Sequence, residues 1–309
     1  MSDTIITSSN FTNAVVQLWA GVALEALKPN FVMANLVNRA YDTNPGSVGS
    51  TVTVTYPPKD VTSTVNLAEG DSIQLDADNL STSAITVNQH TTKSFMIPQA
   101  SQNLLSVDLA RTYLTPYVTA VARKIETTLL GLYTGFSNAA IGTGGTAATS
   151  SLINLAETAL FNAEVPVSEE KYLIVDGNNY ETLRALTELS YQYAFGQNDQ
   201  LHTGSPDGFK AFGLNIKRSQ LVKQTTAGSP AVTTNHGIAF AKDAMCLVTR
   251  RLPDPLPGTG TVAAQIEMDG FTMRLLHTFN SSKIGPQFTI DVLWGAAVLR
   301  PDFGIEVKM

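Results

Sequence analysis

Hydrophobic positions change their period several times along the chain, and each change predicts an element. After a polar start, Val15, Leu18, Trp19, Val22, Leu24 and Leu27 recur at helical spacing, with Thr12 or Asn13 as cap and Pro29 beyond the end. This predicts a short amphipathic helix on an N-terminal arm. In residues 50–56, STVTVTY, Val52, Val54 and Tyr56 alternate with threonine as in a half-buried strand, and Pro57 and Pro58 stop it. Residues 57–98 then form a long polar excursion carrying Asp60, Glu69, Asp71, Asp76 and Asp78. It closes with two alternating runs, SAITVNQ and TKSFMIP, which read as the two strands of a long hairpin. A hairpin with so few apolar residues is marginal alone, so its expected partner is another subunit.

From Gln99 to Phe136 the period becomes helical. Thr115 is placed to cap a second segment with Pro116 in its first turn, and Val118, Val121, Ile125, Leu129 and Leu132 share one face. Residues 116–133 would span about 27 Å at about 1.5 Å per residue, enough for a spine across a domain. The Gly-, Ala-, Ser- and Thr-rich stretch 135–151 predicts a mobile loop or a subdomain boundary. Beyond it, LINLAETALFNAEVP reads as a helix started by Ser151 and ended before Pro166, KYLIVD as a short buried strand, and NYETLRALTEL as a helix after cap signals at Asn178 and Asn179. Residues 190–209 read as a polar loop. LNIKRSQLV, HGIAFAKDAMCLVTRRL, TVAAQIEM, FTMRLLHTF, QFTIDVLWGAAVL and FGIEVKM supply a β-rich close, which makes the whole chain α+β.

Composition changes this picture in two ways. At 309 residues the chain exceeds the usual size of one core, so two subdomains or one core with long excursions are expected. Only 15% of residues are charged, with Thr, Ser, Asn and Gln filling the gap, which suits strands and loops that neighbouring copies cover. A net charge of -6 argues against a protein whose main task is gripping nucleic acid. There is no run of eighteen apolar residues and no basic-then-apolar start, so neither a membrane span nor a signal peptide is expected.

Catalytic and metal-binding patterns are not found. His90, His202, His236 and His277 are isolated in sequence and lack zinc-ligand spacing. Cys246, the single cysteine, sits in an apolar run and reads as a small buried hydrophobe. Gly142, Gly144 and Gly145 are not followed by the Lys-Ser or Lys-Thr of a phosphate loop, and read as a flexible connection. Asp76 and Asp78 lack the glycine and distal glutamate of a calcium loop. No cofactor and no enzyme activity are expected.

The order of arm helix, strand with long hairpin, spine helix, central mixed subdomain and β-rich close resembles the major capsid proteins of tailed phages, which share the Hong Kong 97 capsid fold. Three segments carry the likeness: ANLVNRAYDTNPGSVGSTVTV at 34–54, GIAFAKDAMCLVTRRLP at 237–253 and IDVLWGAAVLRPDFGIEV at 290–307. The coat proteins grouped with phage P22 are the suspected nearest relatives. The resemblance implies an N-terminal arm over 1–45, an extended loop with part of a peripheral domain over 46–99 and a spine helix over 100–136. It further implies a mainly axial domain over 152–248 and a β-rich close of both domains over 249–309.

By that resemblance the chain would self-assemble through pentamers and hexamers into an icosahedral head in the host cytoplasm, enclosing DNA without reading its sequence. Scaffolding and portal proteins, and possible decoration proteins, would be its partners. Inter-subunit contacts are expected at Trp19, Lys59, Asp71, Asp76 and Lys93, with Lys59 and Lys93 flanking the hairpin. An encapsulin-like compartment shell, or another virion part such as a tail component, is the alternative.

Overall fold

The computed structural model describes residues 32–41, 51–56, 69–70, 72, 81–96, 109–186, 209–256, 259–268 and 271–309. In chain order these form β1 (Thr51–Tyr56), β2 (Ser81–Thr86), β3 (Gln89–Met96), α1 (Leu109–Gly131), β4 (Ile141–Gly142), α2 (Ser150–Asn162), β5 (Lys171–Val175) and α3 (Gly177–Ala185). There follow β6 (Phe209–Ala211), β7 (Leu214–Arg218), β8 (Lys223–Ala227), β9 (Val232–Ala241), β10 (Met245–Arg250), β11 (Val262–Met268), β12 (Phe271–Asn280), β13 (Gly285–Val298) and β14 (Gly304–Lys308). The predicted arm helix, with Trp19, and the 190–209 loop apart from Phe209 lie outside the described residues.

The strands sort into three sheets. A seven-stranded sheet runs β4-β14-β9-β5-β7-β6, with β8 also on β9, and its β5–β7 and β14–β4 pairs are parallel. A five-stranded antiparallel sheet runs β10-β13-β12-β11, with β3 on the opposite edge of β13. The chain passes between them at the turn Lys242–Ala244 and returns at Pro301–Phe303, so the C-terminal strand belongs to the sheet begun long before it. The third sheet is the two-stranded ribbon β1–β2.

Burial explains these choices. KYLIV in β5 is buried at every position, as a central strand covered on both faces requires. Along α1, Leu114, Val118, Val121, Ala122, Ile125, Leu129 and Leu130 face the main core, which both large sheets share. The expected face is there, except that Leu132 falls in a terminal 3-10 turn, Leu132–Gly135, and is half-buried.

Several expectations are corrected. The runs SAITVNQ and TKSFMIP do not pair with one another. β2 pairs with β1 in the register Thr51↔Thr86 to Tyr56↔Ser81, and β3 crosses to β13. The excursion therefore leaves and returns through β1 and β2, while Val87 and Asn88 carry the chain from the ribbon to the edge of the five-stranded sheet. Pro116 does not open a new helix: α1 runs through it, losing one hydrogen bond at an exposed position while the buried stripe on either side keeps the axis continuous. The cap of α2 is Thr149, whose hydroxyl accepts from Leu152 N, and that of α3 is Asp176, whose carboxylate accepts from Asn178 N and Asn179 N.

The glycine-rich stretch is pinned. Ile141 pairs with Val307, and Asn138 donates to Asp302 O at 2.5 Å and Gly304 O at 2.9 Å. A Cβ on Gly142, at φ +82°, would strike Lys308 O, so glycine here permits a close backbone approach and a left-handed turn. Cys246 is fully buried, as expected.

Candidate assembly surface

The ribbon has its own small core. Val52, Val54, Ile85 and Val87 pack with Cys246, Val248 and Leu299 in a cluster separate from the main core, on the face of the five-stranded sheet away from α1. Period-2 alternation produces this directly: in β1 the buried valines face the sheet while Thr51, Thr53 and Thr55 face out. At the crossing, Gly295 of β13 lies under Thr86, where any Cβ would collide with the Thr86 carbonyl. Ser83 Oγ donates to Val298 O at 3.2 Å. At its outer end, Tyr56 lies 5.2 Å from the Arg300 guanidinium, which also stands 4.6 Å over Phe303. Residues 57–80 depart from that joint.

The arm segment 32–41 forms a second attachment. Asn38 bridges to Cys246, with Asn38 N donating to Met245 O at 3.0 Å, Leu247 N donating to Asn38 O at 3.1 Å, and Asn38 Nδ2 donating to Asp243 Oδ1 at 2.6 Å. Met33, Ala34, Leu36 and Val37 are buried in the main core. Their turn, Met33–Asn35, is held by Glu126 of α1, whose carboxylate accepts from Met33 N at 3.0 Å and Ala34 N at 3.3 Å. Burial pushes the Glu126 pKa up to about 7.

Two polar knots stiffen the sheets. Asp291, buried on β13, accepts Arg274 Nε at 3.1 Å and Nη2 at 2.5 Å and meets His90 Nε2 at 3.1 Å, tying β12, β13 and β3. His236 contacts Glu306 through Nδ1 and Thr225 Oγ1 through Nε2 at 2.6 Å, with Tyr133 stacked 5.0 Å from its ring. Both histidines are isolated in sequence yet partnered in space. Among the described residues no group of three or more His, Cys, Asp and Glu is placed to hold a metal. Nor is any described helix long and apolar enough to cross a membrane.

Large apolar side chains remain exposed at defined places. Phe279 and Ile284 flank the β12–β13 turn at 57% and 63% exposure, and Leu155 and Phe161 stand out from α2. Of the residues expected at contacts, Lys93 is exposed on β3, opposite Ile290. Trp19, Lys59, Asp71 and Asp76 lie outside the described residues, so the structure does not bring the set together.

No family model and no curated protein matches the chain. Solved structures do. A chain from Mycobacterium phage Che8 superposes with TM-score 0.66 at 18% identity, covering 89% of this chain and 90% of that one. The capsid structure of Cyanophage P-SCSP1u gives TM-score 0.58 at 19% identity, with 84% of each chain covered. The chain has the Hong Kong 97 capsid fold. A virus-like particle from Pyrococcus furiosus shares it with TM-score 0.54 at 11% identity, over 94% of this chain and 97% of the other. The match thus extends over most of both chains and is not confined to one of the two large sheets.

The sequence held signals for residues not singled out above. Glu126 falls four residues from both Ala122 and Leu130, on the buried side of α1, a marked place for a carboxylate. Gly295 interrupts an apolar strand, the pattern of a close backbone approach. Arg300 carried none, because its aromatic partners come from Tyr56 and Phe303, one of them far away in sequence.

Proposed function

We propose that this chain is the major capsid subunit of a tailed double-stranded DNA phage, assembling through pentamers and hexamers into an icosahedral head, with a structural and not a catalytic role. The observation that carries this reading is the structural match over 84–89% of the chain to phage chains, one of them from a capsid. In it, the seven-stranded sheet with α2 and α3 is the axial domain around five- and sixfold centres. The five-stranded sheet with α1 is the peripheral domain, and residues 57–80, leaving through β1 and β2, are the extended loop that lies across a neighbour.

Shell strength in this reading comes from many weak repeated contacts. Trp19, Lys59, Asp71, Asp76 and Lys93 contribute to them, and the interior wall faces DNA without reading it. A separate scaffolding protein, a portal and decoration proteins complete the head, which forms in the host cytoplasm and ends in the virion. Negative-stain microscopy with light scattering, on the chain expressed alone and with a scaffold, tests this. Closed shells or free pentamers and hexamers are expected, and DNA inside particles from infected cells marks a virus head; packed enzyme cargo would make it a compartment shell. A compact monomer under all conditions refutes the reading.

A further inference from the structure

A hydroxyl, an imidazole and a carboxylate stand in line where β8, β9 and β14 lie side by side. Thr225 Oγ1 is 2.6 Å from His236 Nε2, and His236 Nδ1 contacts Glu306 Oε1. An ionised carboxylate only accepts hydrogen bonds, so in the neutral imidazole Nδ1 carries the hydrogen and gives it to Glu306. Nε2 keeps its lone pair, and the Thr225 hydroxyl donates to it. This is the order that activates an alcohol: a nucleophile on a base, and the base held by a third group.

The ladder fixes that order. His236 pairs with Lys223 of β8 on one side and with Lys308 of β14 on the other. Strand side chains alternate with period two, so Thr225 and Glu306 share its face of the sheet, one to each side. Tyr133 stacks on the ring at 5.0 Å and 15°, and next to it Asn235 and Met309 exchange both backbone hydrogen bonds, at 2.8 and 3.0 Å. Exposure divides the roles: His236 is 8% exposed, whereas every residue of β8 is open to solvent. The base is sheltered, and the residue bearing the hydroxyl can be reached. Thr226 is a built-in control. It is also exposed but points to the opposite face, where its Oγ1 meets Thr233 Oγ1 at 3.0 Å, another alcohol and no base.

We propose that Thr225 is an acyl-acceptor site, its hydroxyl activated by His236 and Glu306 to take an acyl group from an activated ester. Thr225 Oγ1 attacks the ester carbonyl carbon while His236 Nε2 takes the hydroxyl proton. The carbonyl re-forms, the bond to the leaving alkoxide breaks, and that oxygen takes the proton from His236. The products are an ester on Thr225 and a free alcohol. Lys223, exposed on the same face, places a positive charge beside the oxygen that becomes negative during the attack. This is a single covalent modification of the chain and not turnover, and it stands whether or not the chain builds shells.

Treating the full chain with p-nitrophenyl acetate and mapping acetylated peptides by mass spectrometry measures this, with hydroxylamine separating threonine esters from lysine amides. General-base assistance accelerates such an attack by roughly 10²–10⁴-fold, so Thr225 is expected to acetylate on the order of 100-fold faster than Thr226. A ratio of about tenfold or more supports the site; a lower ratio, or no ester at Thr225, overturns it. In His236→Gln, checked for folding by circular dichroism, the ratio should drop to near one. A drop of less than about threefold in the folded variant overturns the role of His236, and any larger drop supports it. If that variant does not fold, the ratio of Thr225 to Thr226 in the natural protein decides alone.

Discussion

Asp291 shows how a single residue holds several strands. It is buried, and both its oxygens are used by Arg274 and His90, so Asp291→Ala strands the Arg274 guanidinium in a low-dielectric setting. The expected loss is about 3–5 kcal/mol in denaturant unfolding, whereas replacing Asp291 and Arg274 together with apolar residues recovers much of it. Gly295 is the opposite case, a residue needed for what it lacks. Gly295→Val forces a side chain into the Thr86 carbonyl, and hydrogen exchange should rise in β1 and β2 while β5 stays protected.

At the scale of elements, α1 is long because tertiary burial outweighs a local breaker. Pro116 is exposed and contributes no packing that would be lost, so Pro116→Ala should stabilise by up to about 3 kcal/mol, seen as a raised melting temperature. The cap of α2 predicts the reverse sign: Thr149→Ala removes the acceptor for Leu152 N and should cost about 1 kcal/mol. Both positions were near the predicted boundaries, two residues off for the cap and wrong in kind for the proline. Short-range signals mark where a helix can end, and only the packed stripe decides whether it does.

For the whole molecule, the consequence lies in two cores of unequal size. The ribbon cluster of seven buried residues is separate from the main cluster that unites both large sheets. Val54→Asp should therefore release the ribbon while the subunit keeps a cooperative unfolding transition and, on the proposed capsid reading, abolish particle assembly, measured by circular dichroism and microscopy together. Loss of folding in this variant would mean that the ribbon is integral to the main core.

Sequence by itself determined what depends on near neighbours. The alternation of β1, the apolar stripe of α1, the buried run of β5 and the β-rich close were all legible, since period and composition are local properties. The order of those elements also carried the capsid resemblance that the structural matches show as a fold. Tertiary structure alone decided which strands pair. β3 leaves β2 for β13, β14 returns to β9, and the glycine-rich stretch is fixed against the C-terminal strand, because such pairings are chosen by burial and backbone hydrogen bonding between segments distant in sequence. The same holds for Glu126: its stripe position was visible, but the amides it accepts come from a turn more than ninety residues earlier, brought to it only by the packed arm.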